Sequence, residues 1–307
     1  MKIWLERSAF DDQEVATIIQ KLPEHHITTS LEEAIDATVA IMKPPFVKPE
    51  LLDRLPSLKF IKLLTAGYNS VNLEELKQRN ITLAYAKDVF SIQIAEDVFS
   101  KILFFNRKLD LFYQQTNDRV WKTQPIQHEI YGQTIGIIGY GSIGFEIAKR
   151  MKSFGTRVIA YKRKPTTDPY VDLFVHDEEG LNDLLRQSDV VIIALPLNQK
   201  TFHFMNKKRF SLMKKTALFI NVARGEVVNQ DDLIDSLEND IIRGAALDVT
   251  TPEPLPETNP LWRAKHIFIT PHQASASPYM NKRLIDEVIM TINKYTKNEP
   301  LDNIVYD

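Results

Sequence analysis

The sequence predicts an α/β protein with two domains, each a doubly wound parallel sheet with helices on both faces. Short apolar runs alternate with longer amphipathic stretches along the chain, which is typical of repeated strand and helix units in a parallel sheet. The 307 residues are enough for two hydrophobic cores rather than one large core. A glycine-rich turn near the middle of the chain follows one of the apolar runs directly.

The predicted strands and helices follow in order along the chain. The strands lie in the runs ATVAIM, LKFIKLL, ITLAYA, TIGIIG, RVIAY, VVIIAL, TALFINVA, RGAALDV and HIFIT. Residues 95–121 carry one continuous helical pattern with apolar residues on more than one side, so we predict one long helix that crosses between domains or packs against a partner. The amphipathic stretch NKRLIDEVIMTINKYTKN predicts a last helix that returns to the first domain. The predicted domains are residues 1–97 with 279–307, and residues 98–278.

Composition argues against several classes of function. A formal net charge of -2 gives no basic field for nucleic acid or an anionic membrane. The chain has no cysteine, so it has no disulfide and no thiolate zinc site, and no HExxH-like spacing indicates another metal site. No apolar run approaches the ~18 residues of a membrane span. We therefore expect a soluble cytoplasmic protein without a metal ion.

The segment GYGSIG, residues 139–144, has the pattern of a dinucleotide-binding turn. Gly139 would make the tight turn after the strand, Gly141 would leave room for a pyrophosphate, and Gly144 would let the helix pack closely. Free N–H groups at the helix N-terminus would bind the diphosphate. A glycine turn with a purely steric role is the alternative. The predicted cofactor-binding residues of this turn are Gly139, Tyr140, Gly141, Ser142, Ile143 and Gly144.

Three cations follow the next predicted strand, RVIAY. An NAD site normally offers an acidic residue to the ribose there, but this chain continues with Lys162, Arg163 and Lys164. Positive charge at this place would neutralise a 2′-phosphate, so we predict a preference for NADP(H), with NAD(H) as the second option. A solvated basic turn without a ligand is the alternative.

Three polar residues follow the last three predicted strands. Arg224 follows TALFINVA, Glu253 lies in a proline-rich loop after RGAALDV, and His272 follows HIFIT. Ligands of open α/β sheets bind outside the carboxyl ends of the strands, so we predict that these side chains share one pocket. Each residue also has an alternative interpretation of its own. Arg224 could form a surface ion pair, Glu253 could be solvated in its loop, and His272 could simply lie near the start of the last helix.

Together, these residues suit the reduction of a 2-oxo acid by hydride transfer. Negative charge that builds on the carbonyl oxygen requires a proton donor and a cation. His272 would donate the proton, and Arg224 would bind the substrate carboxylate and polarise the carbonyl. Glu253 would orient the imidazole and favour its protonated form.

These three positions belong to an ordered series of segments between residues 132 and 275. The segments are GQTIGIIGYGSIG, LPLNQKT, MKKTALFINVARGEVV, GAALDV, EPLP, NPLW and TPHQAS. In this series the chain resembles the D-isomer-specific 2-hydroxyacid dehydrogenases, the family of glyoxylate and hydroxypyruvate reductases. The resemblance implies a flavodoxin-like substrate domain, a Rossmann cofactor domain and a D-2-hydroxy acid product. It also implies Arg224 as the substrate-binding residue, His272 as the acid/base and Glu253 as its partner.

The resemblance implies further binding residues. Asp248 matches the residue that receives the nicotinamide carboxamide. The segment LTAGYNSVNL resembles the loop that binds the substrate carboxylate, with Ala66, Gly67 and Tyr68 as substrate-binding residues. Trp262 is either a pocket wall or a packing residue. The residues implied to line the cofactor site are Leu195, Pro196, Val222 and Ala223.

The family also implies a homodimer built through the cofactor domains, and the helical region 95–121 suits that contact. Burial of Phe99, Phe104 and Phe105 within one subunit is the alternative. Asn69 and Asn198 depart from the family pattern, at places where Asp and Thr are usual. A dinucleotide-sensing corepressor on the same fold remains as a second function, although the compact chain shows no long extensions.

Overall fold

The computed structural model describes residues 1–125 and 128–306, and these residues form two compact α/β units. The first unit combines Met1–Phe90 with Ser277–Asp307, so it is discontinuous in sequence. The second unit is the intervening segment Ser91–Ala276.

Strands and helices alternate along the described residues of both units. The strands are β1 (Lys2–Leu5), β2 (His26–Thr28), β3 (Val39–Met42), β4 (Phe60–Leu63), β5 (Thr82–Ala84), β6 (Thr134–Ile138), β7 (Arg157–Tyr161), β8 (Leu173–Val175), β9 (Val190–Ile193), β10 (Leu218–Asn221), β11 (Gly244–Leu247) and β12 (Ile267–Ile269). The helices are α1 (Asp12–Lys21), α2 (Pro49–Asp53), α3 (Leu73–Gln78), α4 (Ser91–Asn106), α5 (Leu109–Asn117), α6 (Ser142–Lys152), α7 (Glu178–Gln187), α8 (Lys207–Phe210), α9 (Gln230–Glu238) and α10 (Met280–Thr296).

The sheet of the first unit has the strand order β2-β1-β3-β4-β5, and its described strand pairs are parallel. This order is that of flavodoxin-like folds. The runs ATVAIM, LKFIKLL and ITLAYA form β3, β4 and β5, as predicted. Strands β1 and β2 were not predicted, because charged residues flank the short run of β1 and β2 has only three residues.

The sheet of the second unit has the order β12-β11-β10-β9-β6-β7-β8, again with parallel pairs in the described residues. The chain order reverses between β6 and β9, which is the topological switch point of a Rossmann fold. The six runs from TIGIIG to HIFIT all form strands here. Strands β9, β10 and β11 are buried along their whole length, as expected for strands covered on both faces. The predicted α/β fold class is confirmed.

The prediction of one long helix over residues 95–121 is wrong. The structure has two helices, α4 and α5, and Lys108 between them adopts a positive φ of 53°. A residue in the left-handed region cannot continue a right-handed helix, so the chain turns at this point. Helix α4 begins at Ser91, and the predicted domain boundary after residue 97 therefore falls inside a helix that lies wholly in the second unit.

Membrane insertion was also considered for the helices. Over residues 1–125 and 128–306, the structure contains no helix whose length and apolar character together would let it span a bilayer.

A buried ion pair joins the first unit's sheet to its last helix. Lys62 of β4 is fully buried, and its Nζ lies 2.7 Å from Oε2 of Glu287 on α10. The ammonium also donates to the carbonyl oxygen of Tyr85 at 2.7 Å. Glu287 Oε1 accepts hydrogen bonds from Thr291 and Asn303, at 3.0 and 2.9 Å. Burial lowers the pKa of Lys62 to about 8, although the carboxylate of Glu287 acts in the opposite direction.

Replacing Lys62 with Met should therefore destabilise the first unit strongly. The variant leaves the Glu287 carboxylate buried without its cation, which costs about 3–5 kcal/mol. The double variant Lys62→Met/Glu287→Gln should recover most of this loss, because a neutral amide oxygen still accepts from Thr291 and Asn303. Urea unfolding midpoints of the wild type and both variants measure the difference. Equal destabilisation in the single and double variants would contradict a charge-based role for the pair.

Candidate active site

The glycine turn links β6 to α6 at the switch point of the second sheet. Gly139 has a φ of 102°, and a Cβ built on it would lie 2.6 Å from the carbonyl oxygen of Ala194. A Cβ on Gly144 would lie 2.5 Å from the carbonyl oxygen of Gly139. Gly141 differs, because no described atom lies within 4 Å of the position of its Cβ. The outer glycines permit close packing of the backbone, and the middle glycine faces open space.

This open space is a cleft of about 340 Å³ between the segments that follow β6, β7 and β9, which we call the β6–β9 cleft. Seven of the predicted cofactor-binding residues line it, namely Gly139, Tyr140, Gly141, Lys162, Arg163, Leu195 and Pro196. The other lining residues, which the sequence did not single out for binding, are Tyr161, Ala194, Asn198, Lys200, Thr201 and Phe204.

The remaining predicted cofactor residues lie outside this lining. Ser142, Ile143 and Gly144 form the first turn of α6, and Lys164 is exposed beyond β7. Val222 and Ala223 follow β10, and Asp248 follows β11, at the same edge of the sheet as the cleft.

The lining of the β6–β9 cleft is cationic. Its described residues include Lys162, Arg163 and Lys200 but neither Asp nor Glu. The Lys162 ammonium lies 5.9 Å from the centre of the Tyr140 ring, within the range of a cation–π interaction. Burial raises the pKa of Tyr140, and the nearby carboxylate of Asp168 acts in the same direction. The phenol therefore stays neutral beside the cation.

Asn221, the last residue of β10, shapes the loop that carries Arg224. Its side-chain oxygen accepts from the N–H of Ala223, and its amide donates to the carbonyl oxygen of Arg224, both at 3.0 Å. The Arg224 guanidinium is half-buried and donates to the carbonyl oxygen of Ala223 at 2.6 Å. The side chain thus begins from a loop whose backbone is fixed on both sides.

Close packing then brings this loop against the one that carries Glu253. A Cβ on Gly225 would lie only 2.0 Å from the carbonyl oxygen of Thr250, so the two loops approach at backbone distance. Glu253 Oε1 accepts from the N–H of Thr250 at 3.1 Å, and Glu253 Oε2 lies 2.8 Å from Nδ1 of His272. The imidazole keeps 46% of its side-chain surface exposed, so it remains accessible to a ligand.

Asp248 holds the loop that carries His272. Its carboxylate accepts from the hydroxyl of Thr270 at 2.6 Å and from the N–H groups of Gln273 and Ala274 at 2.9 and 3.0 Å. The carbonyl oxygen of Asp248 accepts from the N–H of His272 at 2.8 Å. Only 3% of Asp248 is exposed, so these bonds form away from water. The resemblance implied a cofactor contact for Asp248, and the structure adds the support of the His272 loop.

The substrate-binding residues predicted in the first unit follow β4. The Thr65 hydroxyl donates to the carbonyl oxygen of Gly67 at 2.7 Å. The N–H of Ala86 donates to the carbonyl oxygen of Thr65 at 2.9 Å. The ring of Tyr68 lies 5.9 Å from that of Tyr85. The loop with Ala66, Gly67 and Tyr68 is therefore held against the segment after β5.

Trp262 lies in the second unit, and its indole N–H donates to the carbonyl oxygen of Pro256 at 3.0 Å while 47% of the residue stays exposed. This bond explains the position of the ring.

Sequence reasoning missed the residues that position the site. Asn221 and Asn198 form hydrogen bonds to backbone groups of their own loops. Thr270 instead donates to the carboxylate of Asp248 in the neighbouring loop. The sequence offered one signal for two of them, namely their position at the end of a strand. Asn221 is the last residue of β10, and Thr270 immediately follows β12. Of these contacts, the bond between Thr270 and Asp248 depends on the strand order, because it joins the segments after β12 and β11.

Comparison with known proteins agrees with this architecture. Residues 99–274 match the family model for the NAD-binding domain of D-isomer-specific 2-hydroxyacid dehydrogenases. The chain is 34% identical over 267 residues to a glyoxylate reductase of Pyrococcus horikoshii, covering 84% of this chain and 78% of that protein. It is 38% identical over 226 residues to the human glyoxylate reductase/hydroxypyruvate reductase, covering 72% and 69% of the two chains.

A solved structure gives the same result for the whole fold. The D-isomer-specific 2-hydroxyacid dehydrogenase family protein from Aeromonas salmonicida superposes with a TM-score of 0.85 at 27% identity, covering 99% of this chain and 98% of the other. The fold and the site thus define an NAD(P)-dependent oxidoreductase. The chain belongs to the D-isomer-specific 2-hydroxyacid dehydrogenase family.

Two glycine variants should separate folding from cofactor binding. Gly141→Ala adds a methyl group to open space, so its thermal unfolding should match the wild type, while dinucleotide affinity should fall about tenfold or more, about 1.4 kcal/mol or more. Gly144→Ala forces a methyl group against the backbone of Gly139 and should lower the unfolding temperature as well. Calorimetric titration with NADPH and thermal melts measure both effects. Normal dinucleotide affinity in Gly141→Ala would contradict a pyrophosphate site at this turn.

Proposed function

We propose that this protein reduces a small 2-oxo acid of the glyoxylate or hydroxypyruvate type to the D-2-hydroxy acid, with NADPH as the preferred reductant. The observation that carries the proposal is the 2.8 Å contact between His272 and Glu253, beside the loop of Arg224 and on the same sheet as the glycine turn. The glyoxylate reductase names of the relatives support this substrate class.

His272 acts as the proton donor. Its Nδ1 is engaged by Glu253, so Nε2 is the nitrogen that remains to donate to the carbonyl oxygen of the substrate. A nicotinamide cofactor, when bound, would supply the hydride for the carbonyl carbon of the substrate. Glu253 keeps the ring oriented, and it is held in turn by the N–H of Thr250.

Arg224 supplies the positive charge. A guanidinium binds a carboxylate through two parallel hydrogen bonds, and it also stabilises negative charge that develops on the neighbouring carbonyl oxygen. In the first unit, we assign Ala66, Gly67 and Tyr68 to binding of the substrate, as the family resemblance implies. Asp248 is assigned the nicotinamide carboxamide on the same ground.

The preference for NADPH rests on the charge of the β6–β9 cleft. Lys162 and Arg163 line it, and no described lining residue is an acid that could hold the ribose hydroxyls of NAD. A 2′-phosphate, with its negative charge, complements these cations. Cellular NADP pools generally drive reduction, so the proposed direction is towards the hydroxy acid.

The corepressor alternative is not favoured, because the relatives reported above carry enzyme names. An assay of glyoxylate, hydroxypyruvate, pyruvate and longer branched 2-oxo acids with NADPH and NADH tests the proposal. We expect oxidation of NADPH with at least one small 2-oxo acid. Tight NADPH binding without oxidation by any of these acids would favour the binding function instead.

His272→Ala should abolish most of the activity. Loss of the proton donor is expected to lower kcat about 10²- to 10⁴-fold, because general acid catalysis contributes that much. NADPH affinity should stay within about twofold, since His272 lies outside the lining of the β6–β9 cleft. Steady-state kinetics and calorimetric titration measure the two quantities. Near-normal kcat in this variant would contradict the assignment of the proton donor.

We also propose a homodimer, formed through a surface of the second unit. Phe99 packs on Phe154 with ring centres 4.9 Å apart, and Phe104 on Phe268 at 4.3 Å, so these rings pack within the subunit. The apolar surface that remains is further along the chain. Large exposed residues there are Leu109, Tyr113, Val120 and Trp121, of which Trp121 is fully exposed. Contiguous exposed apolar patches commonly mark protein contacts.

Trp121→Ser should weaken this dimer. Removing the fully exposed indole eliminates the largest apolar side chain of the proposed surface, and aromatic anchors often contribute about 2 kcal/mol or more to an interface. Light scattering across a dilution series measures the dimer fraction. Ile35→Ser, at a 62% exposed position of the first unit, is the matched control and should leave the mass unchanged. A wild-type protein that is monomeric throughout the series would refute the dimer.

A further inference from the structure

The second wall of the β6–β9 cleft contributes a cation of its own. Lys162 and Arg163 come from the segment after β7, on one side, whereas Lys200 comes from the loop after β9, on the other. Lys164, the third cation of the basic triplet, does not line the cleft. The positive charges that face the cleft are therefore distributed over two loops.

We infer that Lys200 is a specificity-determining residue, which binds the 2′-phosphate of NADPH together with Lys162 and Arg163 from the opposite wall. The inference rests on the proposed use of NADPH. It adds the loop after β9 to the phosphate site, whereas the usual ribose contact comes from the segment after the second strand of the fold, here β7. A phosphate held between two loops is contacted from two directions, whereas the basic triplet alone would approach it from one.

The backbone around Lys200 is held in a defined turn. Asn198 Oδ1 accepts from the N–H of Lys200 at 2.9 Å, and the Thr201 hydroxyl accepts from the N–H of Asn198 at 2.8 Å. The Thr201 hydroxyl also donates to the carbonyl oxygen of Pro196 at 2.7 Å. A fixed backbone lowers the entropy cost of placing the lysine at a ligand. This turn also accounts for Asn198, which departs from the family pattern.

The charges of the cleft are available for a ligand. Among the ion pairs of the described residues, none involves Lys162, Arg163 or Lys200, whereas many other lysines and arginines of the second unit pair with a carboxylate. Lys200 and Arg163 are exposed and Lys162 is half-buried. Three unpaired cations facing one cleft repel each other, and a dianionic phosphate relieves this repulsion.

The test compares two fragments that differ only in the 2′-phosphate, adenosine 2′,5′-bisphosphate (2′,5′-ADP) and 5′-AMP, by calorimetric titration of the full-length protein. Lys200→Ala should weaken the binding of 2′,5′-ADP about threefold to tenfold and leave that of 5′-AMP within about twofold. Lys200→Arg should retain most of the affinity. Lys215→Ala removes an exposed lysine outside the cleft and serves as the control, with no change expected.

Each outcome decides a separate point. Wild-type protein that binds both fragments equally would refute the NADPH preference itself, together with this inference. A wild-type preference for 2′,5′-ADP that survives Lys200→Ala would refute only the role of Lys200. Equal weakening of both fragments would indicate general damage to the cleft and also overturn the inference. A larger loss of 2′,5′-ADP affinity in Lys164→Ala than in Lys200→Ala would indicate that Lys164 is the third cation at the phosphate. That result would also overturn the inference.

Discussion

The buried carboxylate of Asp248 is the interaction on which the geometry of the candidate site depends. It follows β11, yet its three donors all lie in the segment after β12, so it joins the ends of two neighbouring strands. A positive φ of 52° at His272 requires this kind of external restraint, because a non-glycine residue rarely adopts it alone. The imidazole therefore reaches Glu253 from a backbone that is fixed before any ligand arrives.

The dinucleotide side of the same sheet is organised by steric contact instead of charge. Gly139 approaches the backbone of Ala194 across the switch point, and Gly225 approaches that of Thr250 further along the sheet edge. Both contacts leave no room for a side chain. Each glycine therefore lets the loops of neighbouring strands pack backbone against backbone. The β6–β9 cleft and the His272–Glu253 pair thus form at the carboxyl edge of one sheet, where parallel strands bring their loops together.

Much of this could be predicted from sequence, for identifiable reasons. Fully buried parallel strands such as β9 and β10 are continuous apolar runs in the sequence. The glycine spacing around Gly141 predicts a tight turn between a strand and a helix directly. The pairing of His272 with Glu253 followed from family resemblance and strand-end logic. The break at Lys108 was not visible, because the helical pattern continues through it and a lysine gives no signal for a positive φ. Lys200 was missed because its place opposite Lys162 depends on β9 and β7 flanking β6, a fact of strand order.

The first unit is completed by chain that follows the second unit. Its sheet carries Lys62, but the carboxylate that pairs with this lysine lies on α10. The N–H of Val305 also donates to the carbonyl oxygen of Leu83 in β5. During synthesis, the second unit therefore emerges whole while the first still lacks its last helix and final pairing segment. Lys62 therefore lacks its carboxylate partner until α10, which follows the whole second unit along the chain, has been synthesised. Translation order thus allows the second unit to mature before the first.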